Sequence, residues 1–471
     1  MRTRFLLCLY FMISISLLFQ NCATENATQE RSEITADNST NEISSNSEIK
    51  KISPPLNSVD VPYQIFTVTN STAQTLNLDN GTTIEIPANA FVDANGNAIN
   101  AAVNISYREF HTAADILASG IPMKASHNGI DGDMQTAGMF EINASSNDQE
   151  VFVAEGKNVG VNMATNVDGD NYDFWELNQE SGAWKNLGGS TAKTNVRKQA
   201  AQKEVASLAK MKTPTPPAKF DKAKPVLNFD LNLENYPDLK SMKNIFWQFT
   251  GNGENPKNNP WVFKEQWTSA DIKKGTRGNE YIMVLKSDKK NFSTTVCPSQ
   301  KGKDFDEALS DYETALREYK SNELTKQDRM NFMKRQTDFV RSFRIQNMGV
   351  YNCDALINNP DALAFQAKFD FCSDVPMAHN KVNVYLITND ARSVIAYNFA
   401  QRRNFLVDTG MDNQLIAILP NNKYATFSQA DFDANLEAMK NSKGKVFTFK
   451  MNVETEPIES VEDLTKAMAA L

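Results

Sequence analysis

The sequence is poor in the residues that most enzymes use for acid–base or metal chemistry. Only three histidines occur among its 471 residues, and His111, His127 and His379 are far apart along the chain. This disfavours a zinc site built from several histidines and catalysis by a histidine base. The chain also lacks a Gly-x-Ser-x-Gly elbow, a His-Glu-x-x-His helix, a phosphate-binding loop and a Cys-x-x-Cys pair. We therefore predict no catalytic residue, no cofactor and no enzymatic activity. A hydrolase with paired carboxylates leaves no fixed spacing and stays an alternative.

An excess of basic residues is also missing. Lys and Arg number 49 against 57 Asp and Glu, which gives a net charge of −8 and an isoelectric point near 5.2. Because such a surface does not attract a polyanion by counterion release, we predict no nucleic-acid partner. The chain has 41% hydrophobic and 23% charged residues, a globular composition, and its length predicts two or three domains.

The apolar run at the N-terminus is too short to cross a membrane. Phe5–Phe19 would rise about 22 Å as a helix, against a hydrocarbon core of about 30 Å. Arg2 and Arg4 precede this run. A short apolar stretch behind positive residues is typical of a secretory signal peptide, which we place at residues 1–21.

Cys22 follows this stretch almost at once. Its position resembles the bacterial lipoprotein signal, in which the thiol is acylated and becomes the first mature residue. Phe19, Gln20 and Asn21 stand where that family prefers leucine and small residues, and ordinary cleavage that leaves an unmodified cysteine is the alternative. The resemblance implies an exported protein, lipid-anchored to the outer membrane on its periplasmic or surface face. Residues 22–60, rich in Asn, Ser, Thr and Glu, predict a disordered tether.

Short alternating apolar runs, broken by Asn, Asp and Gly, fill residues 61–190. Eight short strands at this spacing, without helical patterns between them, predict an antiparallel β-sandwich domain. Turn signals such as Asn80-Gly81 and Asn95-Gly96 separate several of them. The predicted strands are Tyr63–Thr69, Thr82–Ile86, Val103–Phe110, Met139–Asn143, Val151–Val153, Val159–Met163, Tyr172–Leu177 and Ala183–Leu187.

One part of the predicted sandwich resembles a known family. Residues 79–91, Asp-Asn-Gly-Thr-Thr-Ile-Glu-Ile-Pro-Ala-Asn-Ala-Phe, and the Val103–Tyr107 strand after them are similar to the β-sandwich module of the zonula-occludens and netrin-receptor type. The resemblance covers about residues 79–165. It implies a protein-contact module rather than an enzyme. Some members cleave themselves at a His-Phe-Ser site, but Phe110-His111-Thr112 has another order, so self-cleavage is not carried over.

Residues 191–224 differ from the rest of the chain in charge. Nine Lys or Arg stand against two acids between residues 193 and 224, a net +7. A helical stretch, Val196–Met211, runs into a Pro-rich segment that ends it. We favour a soluble interdomain linker, because isolated charge runs usually lie on solvated faces. The other interpretation is a patch that docks on anionic lipid or glycan headgroups or on an acidic partner.

Residues 225–471 predict an α+β domain, with two subdomains as the alternative, because strand patterns stand before and after a helical segment. Thr325 and Asp328 mark the start of a second helix in this segment, so we predict an α-helical hairpin over about residues 304–346. The apolar positions of the first helix repeat at spacings of four and three: Phe305, Leu309, Tyr312, Leu316 and Tyr319.

Two groups of side chains are candidates for ligand contact. Trp261 and Trp267 follow an Asn/Gly/Pro-rich loop, and exposed aromatics beside amides hold sugar rings; burial is the alternative. Asp168, Asp170 and Asp173 offer hard oxygens that calcium accepts. The glycine and the distant glutamate of the helix–loop–helix calcium motif are missing, so we favour an Asp-rich turn and predict no metal site.

Three cysteines follow Cys22: Cys297, Cys353 and Cys372. In an oxidising compartment an odd number leaves one thiol over. A disulfide between Cys353 and Cys372 would fasten the segment after the predicted hairpin, and three buried thiols without a bridge is the alternative.

These observations predict a membrane-anchored envelope lipoprotein with a non-enzymatic binding or scaffolding role. We expect an accessory subunit of a membrane assembly, with a protein partner in the envelope. A glycan-binding surface lipoprotein of a nutrient-capture system, using Trp261 and Trp267, is the first alternative. The carboxylate-based hydrolase is the second.

Overall fold

The computed structural model describes residues 52–227, 229, 231–236, 239, 242–371, 381–388 and 392–469. The predicted signal peptide, Cys22 and the predicted tether up to residue 51 lie outside the described residues. The last part of the predicted tether is wrong: Leu56 and Val59 are buried in a core, and Asp60 pairs with Arg108. Within the described residues the chain is β-rich, with several antiparallel sheets and five α-helices. None of these five helices is both long enough and apolar enough to cross a membrane.

The elements follow one another in three parts of the chain. The first part contains β1 Gln64–Thr69, β2 Gln74–Asn77, β3 Thr83–Ile86, β4 Phe91–Val92, β5 Ala102–Phe110, α1 Ala113–Ser119, β6 Lys124–His127, β7 Ile130–Ser146, β8 Gln149–Glu150, β9 Phe152–Val153, β10 Val159–Thr165, β11 Tyr172–Asn178, β12 Ala183–Ser190 and β13 Lys193–Thr194. The middle part contains α2 Val196–Leu208, β14 Ala218–Lys219, β15 Val226–Leu227, β16 Phe246–Gly253, β17 Ser269–Lys274, β18 Tyr281–Lys286, β19 Asn291–Gln300 and α3 Gly302–Arg335. The last part contains β20 Phe339–Ile345, β21 Gly349–Ile357, β22 Leu363–Asp370, β23 Asn383–Thr388, β24 Ser393–Tyr397, β25 Phe405–Val407, β26 Asn413–Ile418, β27 Tyr424–Phe427, α4 Gln429–Asn441, β28 Val446–Lys450, β29 Asn452–Val453 and α5 Val461–Ala469.

Two antiparallel sheets face each other as a β-sandwich. The larger has the order β1-β5-β7-β21-β11-β12, with β6 and β8 beside β7, and the smaller has the order β13-β20-β10-β3-β2. Each of the eight strands predicted over residues 61–190 overlaps an observed strand. Because side chains alternate along a strand, one face of each sheet is apolar and the two faces share a core. This core includes Ile84, Ile105, Phe140, Val161 and Phe343.

Strands β20 and β21 change the predicted domain boundary. β20 pairs with β10, where Val159 is opposite Ile345, and β21 pairs with β11, where Phe174 is opposite Cys353. Residues 339–357 therefore belong to the sandwich and not to a separate domain over 225–471. From Ser342 to Ile345 polar and apolar residues alternate, and the apolar ones are buried, which suits a strand with one buried face.

The predicted helical hairpin over residues 304–346 is wrong. A single helix, α3, runs through its expected turn for 34 residues, about 50 Å, and β20 follows it. No Gly or Pro interrupts residues 303–335. The Thr325 hydroxyl donates to the Ser321 carbonyl one turn earlier, at 3.1 Å, as a threonine inside a helix does, and so does not cap a second helix.

Residues 196–337 form an insertion between two neighbouring strands of the sandwich, and we call them the inserted module. Thr194 of β13 is opposite Phe339 of β20, and the Asn195 N–H donates to the Asp338 carbonyl at 2.9 Å. The module contains a sheet of order β15-β16-β19-β18-β17, with β14 beside β19. Its core includes Trp247 and reaches Ala308 of α3. Residues 196–224 of the linker predicted over 191–224 are thus part of this module, and Lys193–Thr194 form β13 of the sandwich.

Residues 363–469 form the C-terminal part of the described chain. The sheet β24-β23-β26-β27-β29 shares a core with the sheet β25-β22-β28 and with α4. A second core lies between the larger sandwich sheet, α1, α5 and the strands β23, β24 and β26. Trp175 and Ile416 both belong to this second core, which joins the C-terminal part to the sandwich.

Candidate functional site

Helices α2 and α3 pack side by side and antiparallel, and we call this pair the stalk. At the start of α2, the Arg197 guanidinium lies 5.4 Å from the ring centroid of Phe332, near the end of α3. Further along α2, Glu204 accepts a hydrogen bond from Arg329 Nε at 2.7 Å. The stalk therefore joins the sheet of the inserted module to the sandwich.

The base of the stalk rests on the turn between β2 and β3. The Asn195 side chain caps α2 by accepting from the N–H groups of its first turn, and its Nδ2 donates to the Thr337 carbonyl at 3.0 Å. The Asn80 carbonyl accepts from the Thr337 N–H at 2.9 Å. Gly81 has φ +111°, and a Cβ at this position would lie 2.6 Å from Asn195 Nδ2. The turn needs glycine there for both reasons.

A groove of about 330 Å³ opens between α3 and the segment that follows α2, and we call it the α3 groove. Its α3 wall alternates small and aromatic residues at positions that share one helix face. The small residues leave the space that the aromatic rings flank. The apolar lining residues are Met211, Met242, Ala308, Tyr312, Ala315 and Tyr319.

Three charged residues line the same groove. Lys210 and Lys212 are exposed on the segment after α2, and Glu318 is exposed on α3. Neither lysine forms an ion pair with any residue in the described part of the chain. Both lysines belong to the basic stretch identified in the sequence. The groove thus combines an apolar floor with two cationic groups and one anionic group.

A buried carboxylate in the sandwich was missed by the sequence reasoning. Glu109 accepts hydrogen bonds from Tyr107 at 2.6 Å, from Thr82 at 2.5 Å and from Asn80, and its other close partner is His111 Nε2 at 2.6 Å. Burial raises the pKa of Glu109, but the neighbouring His111 and the hydroxyl donors outweigh it, so the pKa lies below its usual value. Burial lowers the pKa of His111, yet the bond to Glu109 outweighs this, and the net shift is upward.

This cluster could have been found from its spacing. Tyr107, Glu109 and His111 alternate along β5 and just beyond it, so their side chains share one face. The cluster touches the turn that supports the stalk, because Asn80 belongs to that turn.

Asp354 is a second buried carboxyl group that the sequence reasoning missed. It lies on β21 with no exposed surface. No group among the described residues makes a hydrogen bond of good geometry with either carboxylate oxygen, although Thr136 and Asn352 lie beside it. Burial raises the pKa of Asp354 to about 8, from a usual value of 3.8. Asp354 is therefore mostly protonated at neutral pH.

Trp261 and Trp267 lie together in the inserted module. Their ring centroids are 6.0 Å apart, and both pack against its core. The indole N–H of Trp267 donates to the Val262 carbonyl at 3.0 Å, and that of Trp261 to the Asn259 side chain at 3.2 Å. The Lys290 ammonium lies 4.6 Å from the Trp261 ring centroid. The pair is half-buried, and its N–H groups are used within the protein.

The loop that carries Asp168 and Asp170 is held by an arginine. The buried Arg341 side chain donates to the Val167 carbonyl at 3.2 Å and to the Gly169 carbonyl at 2.9 Å. Asp173 accepts from Asn186 on the neighbouring strand at 2.8 Å. Among the described residues no group of three or more His, Cys, Asp or Glu side chains could hold a metal ion.

Cys297 and Cys353 are buried free thiols. The Cys353 sulfur lies 3.1 Å from the Ser190 hydroxyl oxygen, and burial raises the pKa of this thiol to about 12. Cys372 lies outside the described residues. For Cys297 and Cys353 the structure agrees with the alternative of buried thiols without a bridge.

No protein-family model, curated protein or solved structure matches the chain. The resemblance of residues 79–165 to the zonula-occludens and netrin-receptor module stays a prediction, as does the lipoprotein signal at Cys22.

Proposed function

We propose that this protein is an envelope lipoprotein with a non-enzymatic binding role, an accessory subunit of a membrane assembly. Acylated Cys22 would carry the anchor, and the inserted module would carry the binding surface. A tether that holds this surface at the membrane raises its local concentration for a membrane partner.

The observation that carries this proposal is the position of the inserted module between two paired strands of the sandwich. The paired positions Thr194 and Phe339 mark its two ends, so the sandwich strands are continuous without it. A segment of 142 residues between two adjacent strands is far longer than the two to five residues that usually join a β-hairpin, and it has a sheet and a core of its own. The module contacts the sandwich at the base of the stalk, through the β2–β3 turn.

Co-purification tests the proposal. The full chain would carry a C-terminal tag, membranes would be solubilised gently, and proteins that elute at a stoichiometric ratio would be identified. One variant replaces residues 195–338 with Asn-Gly, since two residues can join paired strands in a hairpin. The second variant is Cys22→Ala.

We expect a membrane protein that co-elutes with the full chain and is lost in both variants. The circular dichroism of the shortened variant must show a folded β protein for its loss of partner to count. A partner that is retained without residues 195–338 contradicts the role of the inserted module. A protein that elutes alone contradicts the accessory-subunit role, and the glycan-binding alternative would then be tested first.

A further inference from the structure

We propose that the α3 groove binds an amphiphilic anion: an alkyl chain of about ten carbon atoms that ends in a carboxylate. This goes beyond the proposed role as an accessory subunit, because it concerns a small ligand and does not depend on the identity of the protein partner.

The size and floor of the groove favour an alkyl chain. Its volume of about 330 Å³ is at the lower end of the range of small-molecule sites. Protein interiors are otherwise closely packed, and here Ala315 stands between Tyr312 and Tyr319 where a larger residue would close the gap. Methionine side chains such as Met211 adapt to a flexible ligand.

The charges at the groove favour an anionic head group. Lys210 and Lys212 are both exposed at its edge, without an ion-pair partner among the described residues. Glu318 opposes them from the α3 side, which leaves a net charge of +1. A carboxylate between the two lysines gains charge-assisted hydrogen bonds while its chain lies on the apolar floor. If the ligand is an anion, removing the Glu318 carboxylate should strengthen its binding. A Glu318 variant therefore tests the sign of the ligand's charge.

Two probes with the same chain and opposite charge test this proposal on the full-length protein. Decanoate and decyltrimethylammonium would be titrated calorimetrically, both below their critical micelle concentrations. We expect decanoate to bind with one-to-one stoichiometry, and about tenfold more tightly than decyltrimethylammonium. Equal affinity for the two probes, or no saturable binding of decanoate, would overturn the proposal.

Four variants locate the site. Ala315→Leu fills the groove and should remove decanoate binding. Thr314→Leu places the same side chain at the preceding, exposed position of α3 and should leave decanoate binding unchanged. The double variant Lys210→Gln/Lys212→Gln should weaken decanoate binding about tenfold, and Glu318→Gln should strengthen it about twofold. If decanoate binds Ala315→Leu or the lysine variant as tightly as the natural protein, it binds at another site, and the proposal for the α3 groove is refuted. If Ala315→Leu does not fold, the lysine and Glu318 variants decide. The decanoate titration uses the purified protein without a partner, and co-purification uses no decanoate, so the two proposals can fail separately.

Discussion

Replacing Asp354 with asparagine is expected to stabilise the protein at neutral pH while changing its stability little near pH 4. Asp354 has no exposed surface, and burial raises its pKa to about 8. In the unfolded chain the same carboxyl group has a pKa near 3.8. Between these two values the folded protein holds a proton that the unfolded chain releases. Unfolding therefore becomes more favourable as the pH rises.

The size of the effect follows from this difference in bound protons. One extra proton in the folded state lowers the free energy of unfolding by about 1.4 kcal/mol for each pH unit. From pH 5 to pH 7 this amounts to about 3 kcal/mol, and the loss ends once the pH has risen past about 8. Asparagine has a similar shape and does not titrate, so the free energy of unfolding of the Asp354→Asn variant does not fall in this way as the pH rises.

Equilibrium unfolding in urea at pH 5, 6, 7 and 8 measures the difference. Tryptophan fluorescence follows the unfolding, because Trp175, Trp184 and Trp247 are buried in the folded protein. The exposed turn residue Asp148, changed to asparagine, controls for the loss of one carboxylate. A stability difference between Asp354→Asn and the natural protein that is constant from pH 5 to pH 8 would refute the reasoning, since it would mean that folding does not change the protonation of Asp354.

Three further predictions concern other buried groups. Cys353 should resist iodoacetamide at pH 8 in the folded protein and react in urea, because its pKa is near 12 and it has no exposed surface. Mass spectrometry of the peptide measures the labelling, and equal labelling in both states contradicts this prediction. Gly81→Ala should cost about 2 kcal/mol in urea unfolding, because of its positive φ and its close approach to Asn195 and Gln336, and an unchanged midpoint contradicts it. Arg108→Ala should cost about 3 kcal/mol in urea unfolding, because it leaves the mostly buried Glu141 without its cation, and an unchanged midpoint contradicts it.

Local pattern was enough to predict the strands of the sandwich. The strand predicted as Val103–Phe110 is observed as Ala102–Phe110, since its alternation and flanking turns lie within a few residues of one another. Strand β20 was missed for the opposite reason. Its apolar residues continue the spacing of Phe332 and Met333, so they fit a helix face, and their true partners on β10 are about 180 residues away in sequence. Only that distant pairing decides between helix and strand.

The candidate site could be predicted only in part. The sequence showed the apolar spacing of Tyr312 and Tyr319 and the basic stretch that contains Lys210. It did not show that these face each other, because their contact depends on the insertion and on the antiparallel course of α2 and α3. Glu109 and Asp354 were missed because a single carboxylate on a strand gives no sign of what its neighbours on other strands provide.

The position of β21 has a consequence for the order in which the chain folds during synthesis. β21 lies in the middle of the larger sheet, between β7 and β11, and these two strands end more than 170 residues before it. The ribosome therefore completes the whole inserted module before the strand that joins the two halves of this sheet. Until then β7 and β11 each have an unpaired edge, which can pair with other chains. A truncated product that ends before residue 339 should aggregate through these edges.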